Sequence, residues 1–236
     1  MSDSDVGQLR KFGIRDLYNM YRSRGWKLPI MYVFENVLYD FTRGVSTHQY
    51  LQADELQIES ANAKHSVLYM SSWTRVIRKS TRQAVSALNL PDGEPISLID
   101  VGSGKGKVLL VWEEMYKHRI EFSILGVEFS LMLSAICKDN FKKVNAQNIK
   151  LYEGDVLDLP LQNLSSNVIF YMYNPFDLVL MDKFAQKVKS EMSKNSNVMF
   201  IYNNSVHDQC FTNIGVKEIV NEKSWHPNGQ YKIYRL

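Results

Sequence analysis

The sequence is short of the features that would take it outside ordinary globular chemistry. It has only two cysteines, Cys137 and Cys210, in 236 residues. They form no CxxC pair, which excludes a disulfide framework and a zinc knuckle and fits a reducing compartment. The six prolines and twelve glycines gather into no Pro/Gly/Ser-rich stretch that could link two independent domains. There is no internal repeat and no low-complexity segment. Neither sign of charge dominates: 28 basic against 25 acidic residues leaves +3, too mild to imply a nucleic acid or membrane partner. No apolar run approaches the roughly 18 residues of a membrane span. The acidic start Met1-Ser2-Asp3-Ser4-Asp5 is unlike the basic head of a targeting peptide. A cytoplasmic protein with no membrane partner is expected. The five histidines lack metal-ligand spacing, so no metal is expected.

What remains is the balance of one globular domain, 45% hydrophobic and 22% charged. Residues 1–60 mix aromatics (Tyr18, Trp26, Phe34, Phe41) with Arg10, Arg15 and Arg24 and show no strand-like alternation. This reads as an N-terminal extension of short helices, with the main domain over residues 61–236. From Asn62 to Leu90 there is no acidic residue, and Val67, Met70, Trp73, Thr74, Ile77, Thr81, Val85 and Leu88 form the apolar stripe of a helix. That helix ends at Leu90-Pro91-Asp92-Gly93. Strands then alternate with helices: Ile96–Val101, Phe122–Glu128, Ile149–Tyr152, Val168–Tyr173 and Val198–Tyr202 are separated by helices over Val108–His118, Leu131–Val144 and Leu178–Met192. The pattern predicts an α/β fold, a doubly wound and mostly parallel Rossmann-like sheet with both faces covered. Val216–Glu222 and Gln230–Arg235, around Trp225-His226-Pro227-Asn228-Gly229, predict a terminal antiparallel hairpin.

The most informative segment is Asp100-Val101-Gly102-Ser103-Gly104-Lys105-Gly106-Lys107, between the first strand and its helix. Ligands of open α/β sheets sit at the carboxyl ends of strands, where glycines let the backbone come close. The dinucleotide fingerprint needs Gly or Ala at 107, where Lys107 stands. The phosphate loop needs Gly at 101 and Ser or Thr at 108, where valines stand. The spacing that fits is acidic-x-Gly-x-Gly-x-Gly, the pattern of S-adenosylmethionine sites. The second strand ends in Glu128, about 20 residues on, where a carboxylate can accept from two ribose hydroxyls. Phe129 can cover an adenine face, and Asp155 can accept from the adenine amine.

These motifs, with Gly126-Val127-Glu128, Glu153-Gly154-Asp155 and Tyr173-Asn174-Pro175-Phe176, resemble the ordered motifs of class I S-adenosylmethionine-dependent methyltransferases over roughly Leu68–Leu236. The loop and the Gly-Val-Glu strand end are somewhat similar to those of nucleosomal lysine methyltransferases. Tyr69-Met70-Ser71-Ser72 is similar to a Tyr-x-Pro-Thr element of bacterial methyltransferase-domain proteins. The resemblance implies S-adenosyl-L-methionine as cofactor, with Asp100, Gly102, Gly104 and Gly106 at the methionine end and Tyr69, Glu128, Phe129 and Asp155 as further contacts.

Asn174-Pro175-Phe176 resembles the [Asp/Asn/Ser]-Pro-Pro-[Tyr/Phe] element of amino-methylating relatives with one proline missing. Either Asn174 aligns and Phe176 arrives one residue early, or Phe176 aligns and Tyr173 takes the polar position. Methyl transfer is an in-line displacement, in which alignment and exclusion of water dominate. A base is needed only when the acceptor must lose a proton before attack. Asn174, Tyr173 and Asp177 are the catalytic candidates, with His207 a less secure one. The acceptor is an unidentified N or O nucleophile. Arg75, Arg78, Lys79 and Arg82 can steer an anionic acceptor, but a solvated helix face explains them equally well, and nucleic acid is the less favoured class. Two other readings remain: a silent module that binds the cofactor without transfer, and a dinucleotide-dependent oxidoreductase, which Lys107 disfavours.

Overall fold

The structure is a computed structural model that describes residues 13–48, 70–192 and 196–236. Four helical pieces precede the sheet: α1 (Ile14–Arg24), α2 (Lys27–Tyr32), a π-helical turn over Val33–Val37 and α3 (Leu38–Arg43). The long α4 (Thr74–Leu88) follows, then β1 (Ile96–Val101), α5 (Lys107–Tyr116), β2 (Phe122–Glu128), α6 (Leu131–Lys143) and β3 (Ile149–Glu153). The chain ends with β4 (Asn167–Tyr173), α7 (Leu178–Met192), β5 (Asn197–Asn203), α8 (Gln209–Asn213), β6 (Lys217–Glu222) and β7 (Tyr231–Arg235). The strands form one seven-stranded sheet in the order β3-β2-β1-β4-β5-β7-β6. β1 to β5 are parallel, and β7 runs antiparallel between β5 and β6. The predicted fold class is therefore observed, including the terminal hairpin.

The central strands read as unbroken apolar runs because helices cover both faces of the sheet. Successive side chains point to opposite faces. Ile96 and Leu98 of β1, Ile169 and Tyr171 of β4, and Met199 and Ile201 of β5 pack with α4 and α5. Ile99 and Val101, Phe170 and Met172, and Phe200 and Tyr202 pack with α7 and α8 on the other side. The strand order reverses between β1 and β4, which makes the carboxyl end of β1 the switch point at which ligands of such sheets bind.

The predicted helix over the acid-free stretch is shorter than expected. It starts at Thr74, and Met70 to Trp73 lie outside the helix, with Trp73 extended at the N-cap (φ −73°, ψ 131°). Val67 and the expected boundary at residue 60 lie outside the described residues. Trp73 has left the helical stripe because its ring is fully buried against the hairpin: it stacks on His226 with centroids 5.2 Å apart.

The loop between β1 and α5 is wedged into close quarters. Gly106, the N-cap of α5, sits at φ +83°, and a Cβ there would lie 2.5 Å from Cys137 Sγ and 3.0 Å from Phe141 Cε1 on α6. Both the left-handed backbone and the lack of room require glycine. Gly106→Ala is expected to cost about 1–3 kcal/mol in chemical denaturation, from backbone strain and overpacking together. A loss within experimental error would show that α6 can move away.

Candidate active site

The first two glycine positions are fixed by different neighbours. Gly102 has φ +74°, and a Cβ on it would lie 2.9 Å from Pro175 Cβ, so the glycine loop and the Asn174-Pro175-Phe176 segment touch directly. The N–H of Gly104 donates to Glu128 Oε2 at 2.8 Å. Glu128 is 3% exposed, and its other oxygen accepts from the N–H of Ser130 at 2.9 Å. Burial pushes this carboxyl up to about 7 against the opposing pull of those N–H donors. Asp100, at the end of β1, is equally buried. Desolvation, with the Glu128 charge second, holds its carboxyl well above the usual range. Two carboxyls therefore stand together at the switch point, an arrangement that suits a cationic or polyhydroxylated ligand.

The N–H groups of the loop are less available than the sequence led us to expect. Gly102 and Ser103 both donate to the Val127 carbonyl, at 2.9 and 3.0 Å, and Gly106 donates to Ser103 O. With Gly104 held by Glu128, four of the loop's N–H groups are used inside the protein. The loop's backbone is thus tied to the end of β2 and to itself.

Beside it lies a narrow apolar slot that brings together Gly102, Phe129, Gly154 and Asp155, four residues at three strand ends. Val127, Val156, Phe176 and Leu180 supply the rest of its lining. Asp155 Oδ1 accepts from Leu157 N at 2.9 Å and caps the turn Val156–Asp158. The buried Phe176 belongs to this slot. Tyr69 lies outside the described residues, although Ser72, three residues on, hydrogen-bonds the buried Tyr171 hydroxyl.

The acceptor-end candidates sit around a knot of amides. Asn174 adopts a left-handed backbone (φ 44°), which asparagine tolerates, and its Oδ1 accepts from the Tyr202 hydroxyl at 3.1 Å. Tyr173 donates its hydroxyl to Asn228 Oδ1 at 2.5 Å. Asn203, fully buried at the end of β5, donates through Nδ2 to Gln230 O at 2.6 Å and Asn228 O at 3.3 Å. Asp177 Oδ1 accepts from Leu180 N at 3.1 Å and so caps α7, a structural use for the expected base. His207, half-buried, takes part through its backbone: its N–H points to the Tyr202 hydroxyl at 3.4 Å. Sequence reasoning missed Asn228, Tyr202 and Asn203. The turn Pro227–Gly229 was legible as a turn, but its return to the end of β4 was not.

It also missed what the N-terminal helices do. Lys107, the first residue of α5, is 2% exposed, and its Nζ donates to Glu35 O at 2.5 Å and Asn36 Oδ1 at 2.6 Å within the π-helical turn. Burial draws its amine down to about 7, against the pull of Asp40 and Glu35. Asn140 on α6 completes the tie. It donates to Lys105 O at 3.0 Å and accepts from Ser46 N at 2.9 Å. Asp40 holds the same segment through Thr47 and through His48 Nδ1 at 2.6 Å.

With the geometry in view, the comparisons are specific. A methyltransferase-domain family model matches residues 93–232. The chain belongs to that family. It is an enzyme of methyl transfer, as the ordered motifs implied. No curated protein matches it. Among solved structures, it resembles MtNAS in complex with MTA and tNA at 7% identity, TM-score 0.51, over 68% of this chain and 59% of that one. An N-methyltransferase, NodS from Bradyrhizobium japonicum WM9, in complex with S-adenosyl-L-homocysteine, matches at 11% identity, TM-score 0.49, over 68% and 84% of the two chains. An RNA methyltransferase from Salinibacter ruber, also with S-adenosyl-L-homocysteine, matches at 14%, TM-score 0.48, over 70% and 92%. Among the described residues no helix is long and apolar enough to cross a membrane.

Replacing Lys107 by Met leaves Glu35 O and Asn36 Oδ1 without their buried donor, an expected loss of about 1–3 kcal/mol. A lysine whose folded pKa is lowered contributes stability above its unfolded value that fades as pH falls toward the folded one. The gap between wild type and Lys107→Met should therefore widen from pH 7 to pH 9 in denaturant titrations. A gap independent of pH would mean that the amine titrates as it does in water.

Proposed function

We propose that the protein binds S-adenosyl-L-methionine across the ends of β1, β2 and β3 and transfers its methyl group to an N or O acceptor at the end of β4. The observation that carries this is the convergence of Gly102, Phe129 and Asp155 on one slot beside the buried Glu128 and Asp100. Phe129, Val156, Phe176 and Leu180 suit the faces of a purine. Asp155 lines the slot with a carboxylate able to accept from an exocyclic amine, and Glu128 retains lone pairs for a ribose diol. Asp100, ionised, would balance the cationic end of the ligand. Gly102, the loop glycine that lines the slot, would let the ligand's amino-acid portion approach the loop backbone.

When bound, the donor supplies a methyl group on a sulfonium, which leaves as a neutral thioether. The chain's share is placement. The Tyr202 hydroxyl holds the Asn174 side chain beside its left-handed turn, which leaves the Asn174 backbone carbonyl to orient an acceptor N–H or O–H. Tyr173, beside it in sequence, is held by Asn228. The buried aromatic surroundings keep water from competing. The two buried free thiols suit a reducing compartment such as the cytoplasm.

A second reading, a binder without transfer, is favoured by one observation: the polar groups of the acceptor motif are spoken for, Asn174 by Tyr202 and Asp177 by α7. Radiolabelled methyl transfer from donor to fractionated extract separates the two, since a silent binder transfers nothing.

Glu128 gives the donor reading a sharper test. A carboxyl raised to about 7 is largely protonated below that pH, whereas a diol is best held by the ionised form. Affinity for S-adenosylhomocysteine should rise from pH 6 to pH 8, with proton release seen by calorimetry in two buffers of different ionisation enthalpy. Glu128→Gln should weaken binding by about 1.5–3 kcal/mol and flatten that dependence. Unchanged affinity in the variant would remove Glu128 from the site.

A further inference from the structure

An open groove lies between α4 and the connection from β6 to β7. It lies on the carboxyl side of the sheet, because Tyr231, which lines it, pairs with Asn203 at the end of β5. It also abuts the acceptor end. The turn Pro227–Gly229 lines the groove through Gly229 and accepts the Tyr173 hydroxyl through Asn228.

Its walls carry Arg75, Lys79 and Lys223 against a single carboxylate, Glu222. Lys79 and Glu222 face each other across it at 2.9 Å, and the Arg75 guanidinium meets Glu35 Oε1 at 3.2 Å while keeping further N–H donors, so among the described lining residues the charge that no carboxylate meets rests on the exposed Lys223. At its rim Trp225 leaves 47% of its surface exposed, with its ring centroid 6.2 Å from that of buried Trp73. Beneath it, Trp73 is sandwiched between the parallel His226 ring and the Arg75 guanidinium, whose Cζ is 4.9 Å from the ring. The indole of Trp225 thus stands tilted against Trp73 beside Arg75 and Lys223. This is the arrangement that holds a planar group by its face and an attached anion by its charge. Nearby cations do not extend the patch into a track for a polyanion: Arg78 and Arg43 both turn to Glu114.

We propose that this groove binds the methyl acceptor and selects a small molecule in which a carboxylate or phosphate is joined to a planar ring. The inference rests on the methyltransferase reading for the word acceptor, but the groove's selectivity is measurable without turnover. The probes are phenyl phosphate and benzoate, with neutral benzyl alcohol as the control, titrated into the full chain by calorimetry and by NMR of the tryptophan indole signals. The aromatic anions should bind and shift the Trp225 signal, with benzyl alcohol weaker by about tenfold, the loss of one charged contact. Preference for phenyl phosphate identifies a phosphorylated acceptor, and preference for benzoate a carboxylate.

Trp225→Ala and the double variant Lys79→Gln with Lys223→Gln alter only exposed or half-exposed side chains. Each should weaken the anions by about tenfold while S-adenosylhomocysteine affinity and Tm stay at the wild-type values. Equal binding of benzyl alcohol, or no anion binding by a protein that still binds S-adenosylhomocysteine, overturns the proposal. So does a short single-stranded RNA that binds far more tightly than phenyl phosphate. Anion binding by a protein that fails to bind S-adenosylhomocysteine overturns the donor reading instead and leaves the groove's selectivity standing.

Discussion

Side-chain-free backbone at the tip of β1 lets one loop touch three separate elements. Pro175 approaches Gly102 from β4, the Glu128 carboxylate reaches Gly104 from β2, and Cys137 and Phe141 crowd Gly106 from α6. Close packing of this kind transmits displacement because interiors have little slack. The position of the slot on one side and of the acceptor end on the other both follow from where this loop sits. The buried carboxyl of Glu128 is the most exacting part of the arrangement. It holds Gly104 and Ser130 at once, and its cost of burial is met only by hydrogen bonds to N–H groups.

The N-terminal helices serve the same loop from outside the family-matched region. Lys107 reaches into a π-helical turn, and such turns expose carbonyls and re-aim side chains where a regular helix would not. Glu35 O and Asn36 Oδ1 are presented to a buried amine as a result. Asn140 links the residues after α3 to the loop carbonyl of Lys105. The segment therefore braces the loop between β1 and α5.

On the far side, the terminal hairpin has a comparable role. Inserting β7 antiparallel beside β5 returns the turn Pro227–Gly229 to the sheet's carboxyl edge. There Asn228 meets Tyr173 and Asn203, and the neighbouring Trp225 and His226 meet Trp73. A single turn thus meets the end of β4 and lines the groove beside α4.

Local sequence carried the periodicities and the glycines. The strand–helix alternation, the start and end of α7 and the loop at Gly102 to Gly106 were legible because apolar runs, turn residues and spacing act over a few residues. So were the carboxylates at strand ends, since β1 and β2 are long enough to place Asp100 and Glu128 only at their tips. Long-range contacts were beyond such reading. That Glu128 would turn inward to Gly104, that Phe176 would line the slot, that Lys107 would brace the helices before it and that Asn228 would return to Tyr173 depend on partners 24 to 72 positions away. Trp73 shows the competition most directly: its spacing is helical, yet burial against His226 holds it outside the helix. Sequence by itself determined the order of elements and the chemistry at each strand end. Only tertiary structure decided which of those groups meet, because partners distant in the chain are chosen by packing and by the demand that every buried polar group be satisfied.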